Sequence, residues 1–373
     1  MDPRFRRRPT HLRVDLTALG RNLKVIRGAS GDARVMAILK ADAYGHGLLP
    51  IAHKLADLGV DYFGVAFAEE GIALRQAGIE APILVLGGLV GYQLKHFLDY
   101  HLEITAASPF KARQISDEAT RLGRVARVHI KVDTGMGRLG VRPETAVQLA
   151  LQLRTLPGVE TVGIYSHLVE AEAEHSACTD AQVGALRDVL ARLRGLGLHL
   201  PRAHLANTAA ILRCPEARFD MVRPGIGLYG VTPGAKPEVG VELWPVLSAR
   251  TEVVFVKGIR KGAGIGYGHT WHAPRDGWVA TLPVGYGDGY PRALSNRGEV
   301  LIGGRRFAVV GNMSMDQTTI WLDDAMFSVG TEVVLLGRQG GEEIGAWELA
   351  GHGGTIAYDI LCGWAARVPR VYV

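Results

Sequence analysis

Residues 35–58 read VMAILKADAYGHGLLPIAHKLADL, which is the pattern of a strand, a turn and a helix in that order. The run begins with apolar residues and ends in Lys40, and small turn-forming residues follow it. The segment Leu48–Leu58 then carries apolar side chains near the 3.6-residue spacing of a helix. The whole stretch therefore predicts one βα unit, the building block of parallel sheets.

The same pattern occurs eight times between Arg34 and Gly225. The apolar or β-branched runs are Val35–Lys40, Tyr62–Ala66, Ile83–Leu86, Leu102–Thr105, Arg127–Val132, Val162–His167, Ala203–Asn207 and Asp220–Arg223. Eight βα units over about 200 residues predict an α/β fold of the (β/α)8, TIM-like barrel type. A doubly wound open sheet has the same alternation and remains the competing architecture.

The pattern changes after the eighth unit. The stretch Thr232–Pro245 reads TPGAKPEVGVELWP and is typical of a joint between domains. Alternating segments follow it, and Gly303-Gly304 between two apolar arms predicts a hairpin. We therefore place the barrel domain at residues 12–240 and a smaller, mainly-β domain at residues 241–373. The sequence leaves open whether residues 1–11 join the second domain.

Composition and charge narrow the class of protein. Hydrophobic residues make up 47% of the chain and charged residues 21%, which is typical of a globular protein. The net charge of +5 is small for 373 residues and is scattered, so we expect no nucleic-acid partner. No apolar stretch reaches the roughly 18 residues that a membrane helix needs. Cys178, Cys214 and Cys362 lack metal-ligand spacing, and we expect reduced thiols in a cytoplasmic protein without a metal site.

Lys40 is the first candidate for chemistry. Met36, Ile38 and Lys40 share one side of the first strand, so the lysine is expected at the barrel mouth, where TIM-barrel enzymes keep their active sites. A largely desolvated amine there loses pKa and becomes a usable nucleophile or base. The alternative is a lysine that only extends into solvent from a strand end.

The fifth and sixth strands add further polar candidates. His129, Lys131 and Asp133 lie on one side of the fifth strand, and we expect them to line the interior near the mouth, with a glycine-rich loop presenting Arg138. His167 falls at the carboxyl end of the sixth strand. A polar edge strand and a purely structural histidine are the corresponding alternatives.

The loops after the seventh and eighth strands predict a phosphate site. Barrels often bind phosphate there, and this chain has Asn207-Thr208 after one strand and Arg223-Pro224-Gly225 after the other. The segment Gly225–Gly230, GIGLYG, also matches GxGxxG. That match is weak, because the prolines that follow leave no room for the crossover helix of a dinucleotide fold.

Nine motifs in this order resemble the alanine racemases, a family of pyridoxal 5'-phosphate (PLP) enzymes. They are LKADAYGHG, KVDTGMGRLG, YSHL, ANTAA, VRPGIGLYG, GIGYGHT, GYGDGYPR, SMDQ and RVPRVY. The resemblance runs from about Arg13 to Tyr372, and it implies interconversion of L-alanine and D-alanine. It leaves open whether the product feeds cell-wall synthesis or catabolism.

The resemblance implies a cofactor site. Lys40 corresponds to the lysine that carries PLP covalently, and Arg223 to the arginine that faces the pyridine nitrogen. Residues that correspond to the phosphate-binding set are Tyr44, Asn207, Thr208, Gly225, Ile226 and Tyr358. Arg138 and His167 correspond to residues beside the cofactor. Since an arginine does not give up its proton, the electron sink is expected to be weak.

The resemblance also implies two bases, one on each side of the α-carbon. Lys40 would serve one face, and Tyr267 from the other subunit of a head-to-tail homodimer would serve the opposite face. His167 backed by Arg223 corresponds to the relay that assists the tyrosine. The small-molecule substrate is expected to be an amino acid.

Substrate contacts follow from the same resemblance. Arg138 and the backbone of Met315 correspond to the clamp for the substrate carboxylate, and Tyr286 to an entrance residue. Lys131 corresponds to a lysine that is carbamylated in many relatives. Unmodified, its ammonium would repel Arg138, and a carbamate would relieve that repulsion.

Departures from the family pattern concern residues near these sites. Ser314 replaces a common cysteine, Asn312 a frequent arginine, and His269 and Trp271 a usual Arg-Thr-Tyr or Arg-Thr-Phe pattern. They put rate and substrate preference in doubt. The alternatives are therefore a broader-specificity racemase, for example one acting on serine, a PLP decarboxylase on the same scaffold, and a non-catalytic PLP-carrying protein.

Overall fold

The computed structural model describes residues 8–173, 176–234 and 240–373. The contacts divide the chain into two compact units. The barrel unit comprises residues 20–43 and 48–243, and the second unit comprises residues up to 19, 44–47 and 244 onward. Residues 12–19, which the sequence placed with the barrel, thus belong to the second unit. Residues 1–7, and residues 235–239 of the expected joint, lie outside the described residues.

The first described residues belong to the second unit, and the barrel strands follow them in the sequence. Strand β1 (His11–Val14) comes first, and helix α1 (Leu16–Ser30) leads into the barrel unit. Eight parallel strands then close on themselves. They are β2 (Arg34–Ile38), β3 (Tyr62–Val65), β4 (Ile83–Val85), β5 (Glu103–Ala106), β6 (Ala126–Lys131), β7 (Val159–Tyr165), β8 (Ala203–His204) and β9 (Met221–Val222). Each of the eight predicted runs overlaps one of these strands.

Pairing of the first strand with the last closes the barrel. Val35 of β2 pairs in parallel with Val222 of β9, and Met221 of β9 pairs with His204 of β8. The predicted (β/α)8 barrel is confirmed, and the open-sheet alternative is wrong because an open sheet has no such closing pair. The carboxyl ends of all eight strands consequently meet at one face.

Helices follow the strands as the 3.6-residue spacing predicts. They are α3 (Leu48–Asp57), α4 (Ala68–Gln76), α5 (Leu94–Asp99), α6 (Pro109–Arg121), α7 (Pro143–Thr155), α8 (Ala177–Gly195) and α9 (Thr208–Arg213). The short element α2 (Lys40–Tyr44), between β2 and α3, is a left-handed turn. α3 buries Ile51, Ala52 and Leu55, which recur at helical spacing. Ser108 begins α6 by accepting a hydrogen bond from the Lys111 amide at 3.1 Å.

The second unit is mainly β. Its strands are β10 (Leu247–Glu252), β11 (Phe255–Ile259), β12 (Gly264–Ile265), β13 (Trp271–His272), β14 (Gly277–Leu282), β15 (Glu299–Ile302), β16 (Arg305–Ala308), β17 (Thr318–Asp323), β18 (Glu332–Gln339), β19 (Glu342–Ile344) and β20 (Arg370–Tyr372). Two helices, α10 (Ala346–Gly353) and α11 (Ala357–Cys362), complete it. The largest sheet has the order β16-β15-β18-β10-β1-β20, with β19 beside β18.

Two local features of this unit bear on the sequence predictions. Strand β1 pairs antiparallel with β10 and parallel with β20, so the start of the described chain is part of the C-terminal sheet. The predicted hairpin is confirmed, because Ile302 pairs with Arg305 across Gly303-Gly304. Both glycines have positive φ, +59° and +75°, which residues with a side chain adopt at a cost.

Two observations concern the setting of the protein. No helix among the described residues is long and apolar enough to span a membrane. Cys178, Cys214 and Cys362 form no disulfide with one another.

Candidate active site

Lys40 lies just beyond the end of its strand. Strand β2 ends at Ile38, and Lys40 begins a turn, α2, in which Ala41 to Tyr44 all have left-handed backbone, with φ between 52° and 56°. The lysine side chain is exposed. The expected desolvation of this amine is therefore wrong for this structure, because Lys40 lies past the end of the buried strand, in an exposed turn.

Two carboxylates hold this left-handed turn. Glu70 of α4 accepts hydrogen bonds from the amides of Ala41 at 2.7 Å and Ala66 at 2.8 Å. Asp42 accepts from the amide of Leu48 at 2.7 Å and so joins the turn to the start of α3. Left-handed backbone is costly in residues other than glycine, and these bonds offset that cost. Sequence reasoning missed Glu70, since no local pattern relates residues 29 positions apart.

Lys131 is buried inside the barrel, as predicted. Its side chain is 5% exposed, and Nζ lies 4.7 Å from the centre of the Tyr165 ring. Burial, and next the charge of Arg223, lower the pKa of Lys131 to about 7. Asp133, two residues later, turns its carboxylate to the loop and accepts from the amide of Gly137 at 3.0 Å. A large fraction of the Lys131 amine is thus neutral near pH 7.

Arg223 occupies the carboxyl end of the barrel interior. Its side chain is buried, and Nη2 donates to the carbonyls of Ser166 at 2.7 Å and Leu205 at 2.9 Å. The same nitrogen lies 3.2 Å from Nδ1 of His167. Burial lowers the pKa of Arg223 to about 10, so the guanidinium stays charged at neutral pH. The structure therefore brings His167 and Arg223 together.

The barrel mouth is electropositive. The pKa of His167 is held well below its ordinary value, first by burial and then by the charges of Arg223, Lys131, Lys40 and Arg138. Since Nδ1 accepts from the Arg223 guanidinium, the neutral imidazole carries its proton on Nε2 and can donate a hydrogen bond there. The same cations make the mouth suitable for an anionic ligand.

A row of polar side chains continues from Arg223 into the barrel. Nη1 of Arg223 lies 2.8 Å from Nδ1 of His204, and Nε2 of His204 lies 2.9 Å from Nδ1 of His129. Nε2 of His129 lies 2.8 Å from a carboxylate oxygen of Glu103. Sequence reasoning placed His129 inside but missed the other two. The alternation of Glu103 and Thr105 on one side of β5 was the available signal.

The loops after β8 and β9 meet, as predicted. Thr208 Oγ1 accepts hydrogen bonds from the amides of Gly225 at 3.0 Å and Gly227 at 3.3 Å. With both lone pairs engaged, the hydroxyl can act on a further group only as a donor. A Cβ on Gly227 would lie 2.5 Å from Cγ2 of Thr208, so the close approach of the loops requires a glycine. Asn207 caps α9. Ile226, which follows Gly225 in the sequence, is buried.

Tyr44 and Tyr358 belong to the second unit. Their ring centres are 6.2 Å apart. Burial, and next the neighbouring Tyr358, raise the pKa of Tyr44. Its phenol consequently stays protonated and can donate a hydrogen bond.

Tyr267 lies on a short 3-10 turn, Tyr267–His269, and its side chain is 75% exposed. Asn312 donates from Nδ2 to the Tyr267 carbonyl at 2.7 Å, and Gly266 before the turn has φ +69° and ψ −173°, a conformation favoured only by glycine. The departure from the family pattern at Asn312 thus has a structural role here. It holds the backbone of the turn that displays the tyrosine.

Tyr286 and Met315 are neighbours in the second unit. The Tyr286 amide donates to the Ser314 carbonyl at 3.2 Å, and the Gly287 amide donates to the Met315 carbonyl at 2.8 Å. Both side chains are exposed, by 42% and 53%. Within the described residues, no three His, Cys, Asp or Glu side chains come together as a possible metal site.

Family models match nearly the whole chain. Residues 14–233 match the alanine racemase N-terminal domain, and residues 246–372 match the alanine racemase C-terminal domain. An alanine racemase of Symbiobacterium thermophilum is 45% identical to this chain over 98% of this chain and 97% of that protein.

Solved structures agree with this. An alanine racemase of Clostridium difficile superposes with a TM-score of 0.93 at 36% identity, covering 98% of this chain and 96% of that one. A histidine racemase from Leuconostoc mesenteroides superposes with a TM-score of 0.91 at 29% identity, covering 99% of each chain. The similarity thus includes a racemase named for a different amino acid.

Proposed function

This chain belongs to the alanine racemase family and interconverts L-alanine and D-alanine, and we propose that it does so with PLP on Lys40 and by a two-base mechanism. Members of this family are generally PLP-dependent. The observation that carries the proposal is the buried, charged Arg223 guanidinium 3.2 Å from His167 at the carboxyl end of the barrel. An anionic cofactor and a substrate carboxylate both require such a positive site.

The mouth residues fit PLP in charge and hydrogen bonding. The residues that would hold its phosphate are Asn207, Thr208, Gly225, Ile226, Tyr44 and Tyr358. Bound there, PLP would supply a sink for the electron pair left on the α-carbon. Arg223, which would face the pyridine nitrogen, keeps its proton at neutral pH because its pKa is about 10. A donor that does not release its proton favours return of the α-hydrogen over decarboxylation or transamination.

Two side chains would move the α-hydrogen. The Lys40 amine takes or returns it on one face, and the phenol of Tyr267 from a second subunit acts on the other. His167 supports the tyrosine, because its Nε2–H can donate a hydrogen bond to the phenolate that forms when the tyrosine gives up its proton. Arg223, 3.2 Å from His167 Nδ1, keeps that ring in place.

Arg138 and the backbone of Met315 would hold the substrate carboxylate, and Tyr286 would line the entrance. We further propose that the Lys131 amine reacts with carbon dioxide. The nitrogen bonds to the carbon, one proton leaves, and a carbamate anion remains. The pKa of about 7 supplies the neutral amine that this reaction needs, and the carbamate would orient Arg138 by charge attraction.

We also propose a head-to-tail homodimer in which each active site combines Lys40 of one chain with Tyr267 of the other. The exposure of Tyr267, Tyr286 and Met315 supports this, because the three side chains lie on the surface of the second unit. The three unlinked cysteines suit a reducing compartment, and we propose the cytoplasm, testable by cell fractionation.

Lys40→Ala tests the proposal directly. Borohydride treatment of the wild-type protein is expected to leave a pyridoxyl adduct on Lys40, detected by peptide mass spectrometry, and the variant is expected to show neither adduct nor turnover. Lys24→Ala, which changes an exposed lysine of α1, is the matched control and should retain both. An active, adduct-forming Lys40→Ala protein would overturn the assignment.

Substrate range is tested separately. The histidine racemase relative makes a broader racemase the nearest alternative. Incubation with L-alanine, L-serine or L-histidine in deuterated water should give α-deuterated D-product from alanine far faster than from the others. Equal labelling of several substrates would favour the broad racemase, and release of carbon dioxide would favour a decarboxylase.

A further inference from the structure

Four buried side chains form one hydrogen-bonded row through the barrel, which we call the interior row: Glu103, His129, His204 and Arg223. Their exposed fractions are 2%, 0%, 0% and 4%. Successive polar atoms are separated by 2.8, 2.9 and 2.8 Å. The row begins at the first residue of β5, crosses β6 and β8, and ends at the residue after β9. It therefore runs from inside the barrel to the proposed cofactor site.

The two ends of the interior row fix the direction of every hydrogen bond in it. A guanidinium has only donors, so Nδ1 of His204 must accept from Arg223. An ionised carboxylate has only acceptors, so Nε2 of His129 must donate to Glu103. Between them, Nε2 of His204 donates to Nδ1 of His129. Both histidines are consequently neutral and carry their proton on Nε2.

Any other protonation state leaves two donors facing each other. A protonated His204 would turn an N–H toward the guanidinium. A protonated His129 would direct an N–H from Nδ1 at His204, so His204 would have to accept on Nε2 and carry its own proton on Nδ1. That proton would again point at the guanidinium. Burial independently disfavours the charged rings and lowers the pKa of both His129 and His204. Geometry and desolvation thus agree on one state.

Glu103 is itself held by cationic and hydroxyl groups. Its other carboxylate oxygen accepts from the Tyr62 hydroxyl at 3.2 Å and lies 3.3 Å from the Arg127 guanidinium. These contacts direct a hydroxyl donor and a positive charge at that oxygen. A carboxylate behind an imidazole makes the far ring nitrogen a better acceptor, and successive hydrogen bonds in one direction strengthen one another.

We propose that Glu103 and His129 are positioning residues that act through His204 to hold the Arg223 guanidinium in place at the pyridine site. The polarity of the row is independent of the proposed function. The effect on catalysis rests on the proposed function, because Arg223 matters to the reaction only if it faces the cofactor. Loss of the Glu103 acceptor should loosen Arg223 and let transamination compete with racemisation.

Histidine ring signals give the first test. In the 15N-histidine-labelled holoprotein, nitrogen shifts distinguish the two neutral tautomers and the charged ring, and His129→Gln and His204→Gln spectra assign the peaks. We expect Nε2-protonated neutral rings at both positions. An Nδ1-protonated or charged ring at either position in the parent overturns the proposal.

Matched variants give the second test. Glu103→Leu removes the acceptor, Glu103→Gln keeps an uncharged one, and Glu160→Gln changes an exposed carboxylate 3.8 Å from the same Arg127. We expect the ratio of transaminated to racemised product to rise about tenfold or more in Glu103→Leu. The ratio should return toward the parent value in Glu103→Gln and stay unchanged in Glu160→Gln. The His204 ring signals should shift in the same order.

The outcomes separate this proposal from the proposed function. A folded Glu103→Leu protein with unchanged His204 signals and unchanged product ratio refutes the positioning role. A parent that shows the expected tautomers but neither racemises alanine nor forms the pyridoxyl adduct leaves the row intact and refutes the proposed function.

Discussion

The charge of Arg223 is maintained in an interior that disfavours it. Desolvation lowers its pKa to about 10, yet two backbone carbonyls, those of Ser166 and Leu205, accept from one of its nitrogens. Its planar group can meet these carbonyls, His167 and His204 together because its donors point in fixed directions. A lysine has a single nitrogen and cannot make this set of contacts.

Lys131 lacks comparable compensation, and this gives a pH prediction. The pKa of the amine is about 7 in the folded chain and 10.5 in an unperturbed lysine. Between these values the unfolded chain binds more protons, so the free energy of unfolding should rise with pH across this window. Below about pH 7 the amine is charged in both the folded and the unfolded chain, so the cost of burying the ammonium is fully present and no longer changes with pH. Lys131→Met should therefore be more stable than the parent, most clearly at the low-pH side.

Urea unfolding of both proteins in carbon-dioxide-free buffer, measured from pH 6 to 10, checks this. Lys24→Met, at an exposed site, serves as the control. A difference between parent and Lys131→Met that grows with rising pH would contradict the assignment. Repeating the experiment with 13C-bicarbonate and observing a carbamate carbon by NMR tests the proposed modification.

At the scale of elements, the left-handed turn α2 depends on Glu70. Three amides, those of Ala41, Ala66 and Phe67, donate to this one carboxylate. Glu70→Ala should cost about 1–3 kcal/mol of unfolding free energy, because it leaves amides without their partner. It should also lower turnover, because the turn carries Lys40. Glu69→Ala, at an exposed neighbouring position on α4, should change neither.

The turn that displays Tyr267 gives a second prediction at this scale. Asn312→Ala removes the bond to the Tyr267 carbonyl, and Asn312→Asp keeps the shape but removes the donor. Both should lower kcat and speed hydrogen exchange at Gly268 and His269, while overall stability changes by about 1 kcal/mol or less. If the Asp variant behaves like the parent, the amide donor is not what holds the turn.

At the scale of the whole molecule, a shared active site predicts complementation between inactive variants. Lys40→Ala and Tyr267→Phe proteins should each be severely impaired. After the two are mixed, unfolded and refolded together, half of the dimers are mixed, and each mixed dimer has one intact site. Activity should recover to about a quarter of the parent value.

The oligomer itself is checked by light scattering, which should give twice the chain mass. If the mixture recovers no activity although mixed dimers form, Lys40 and Tyr267 do not come from different chains. Recovery in a protein that stays monomeric would contradict the dimer as well.

The barrel was predictable because its information is local. Eight strand–turn–helix segments each bury one face, and period-2 and period-3.6 patterns read directly from neighbouring residues. The positions of Lys131 and His129 inside the barrel followed from the same alternation. The family resemblance added candidate roles for residues such as Tyr267 and Arg138, which alternation alone does not single out.

Only the tertiary structure decided which polar groups meet. It brought Glu103 to His129, Glu70 to Ala41, and Asn312 to Tyr267, pairs separated by 26, 29 and 45 residues. It also left the Lys40 side chain exposed and placed residues 12–19 beside the C-terminal strands. Apolar periodicity is a property of each segment, whereas hydrogen-bond partners and desolvation depend on distances across the fold that no segment contains.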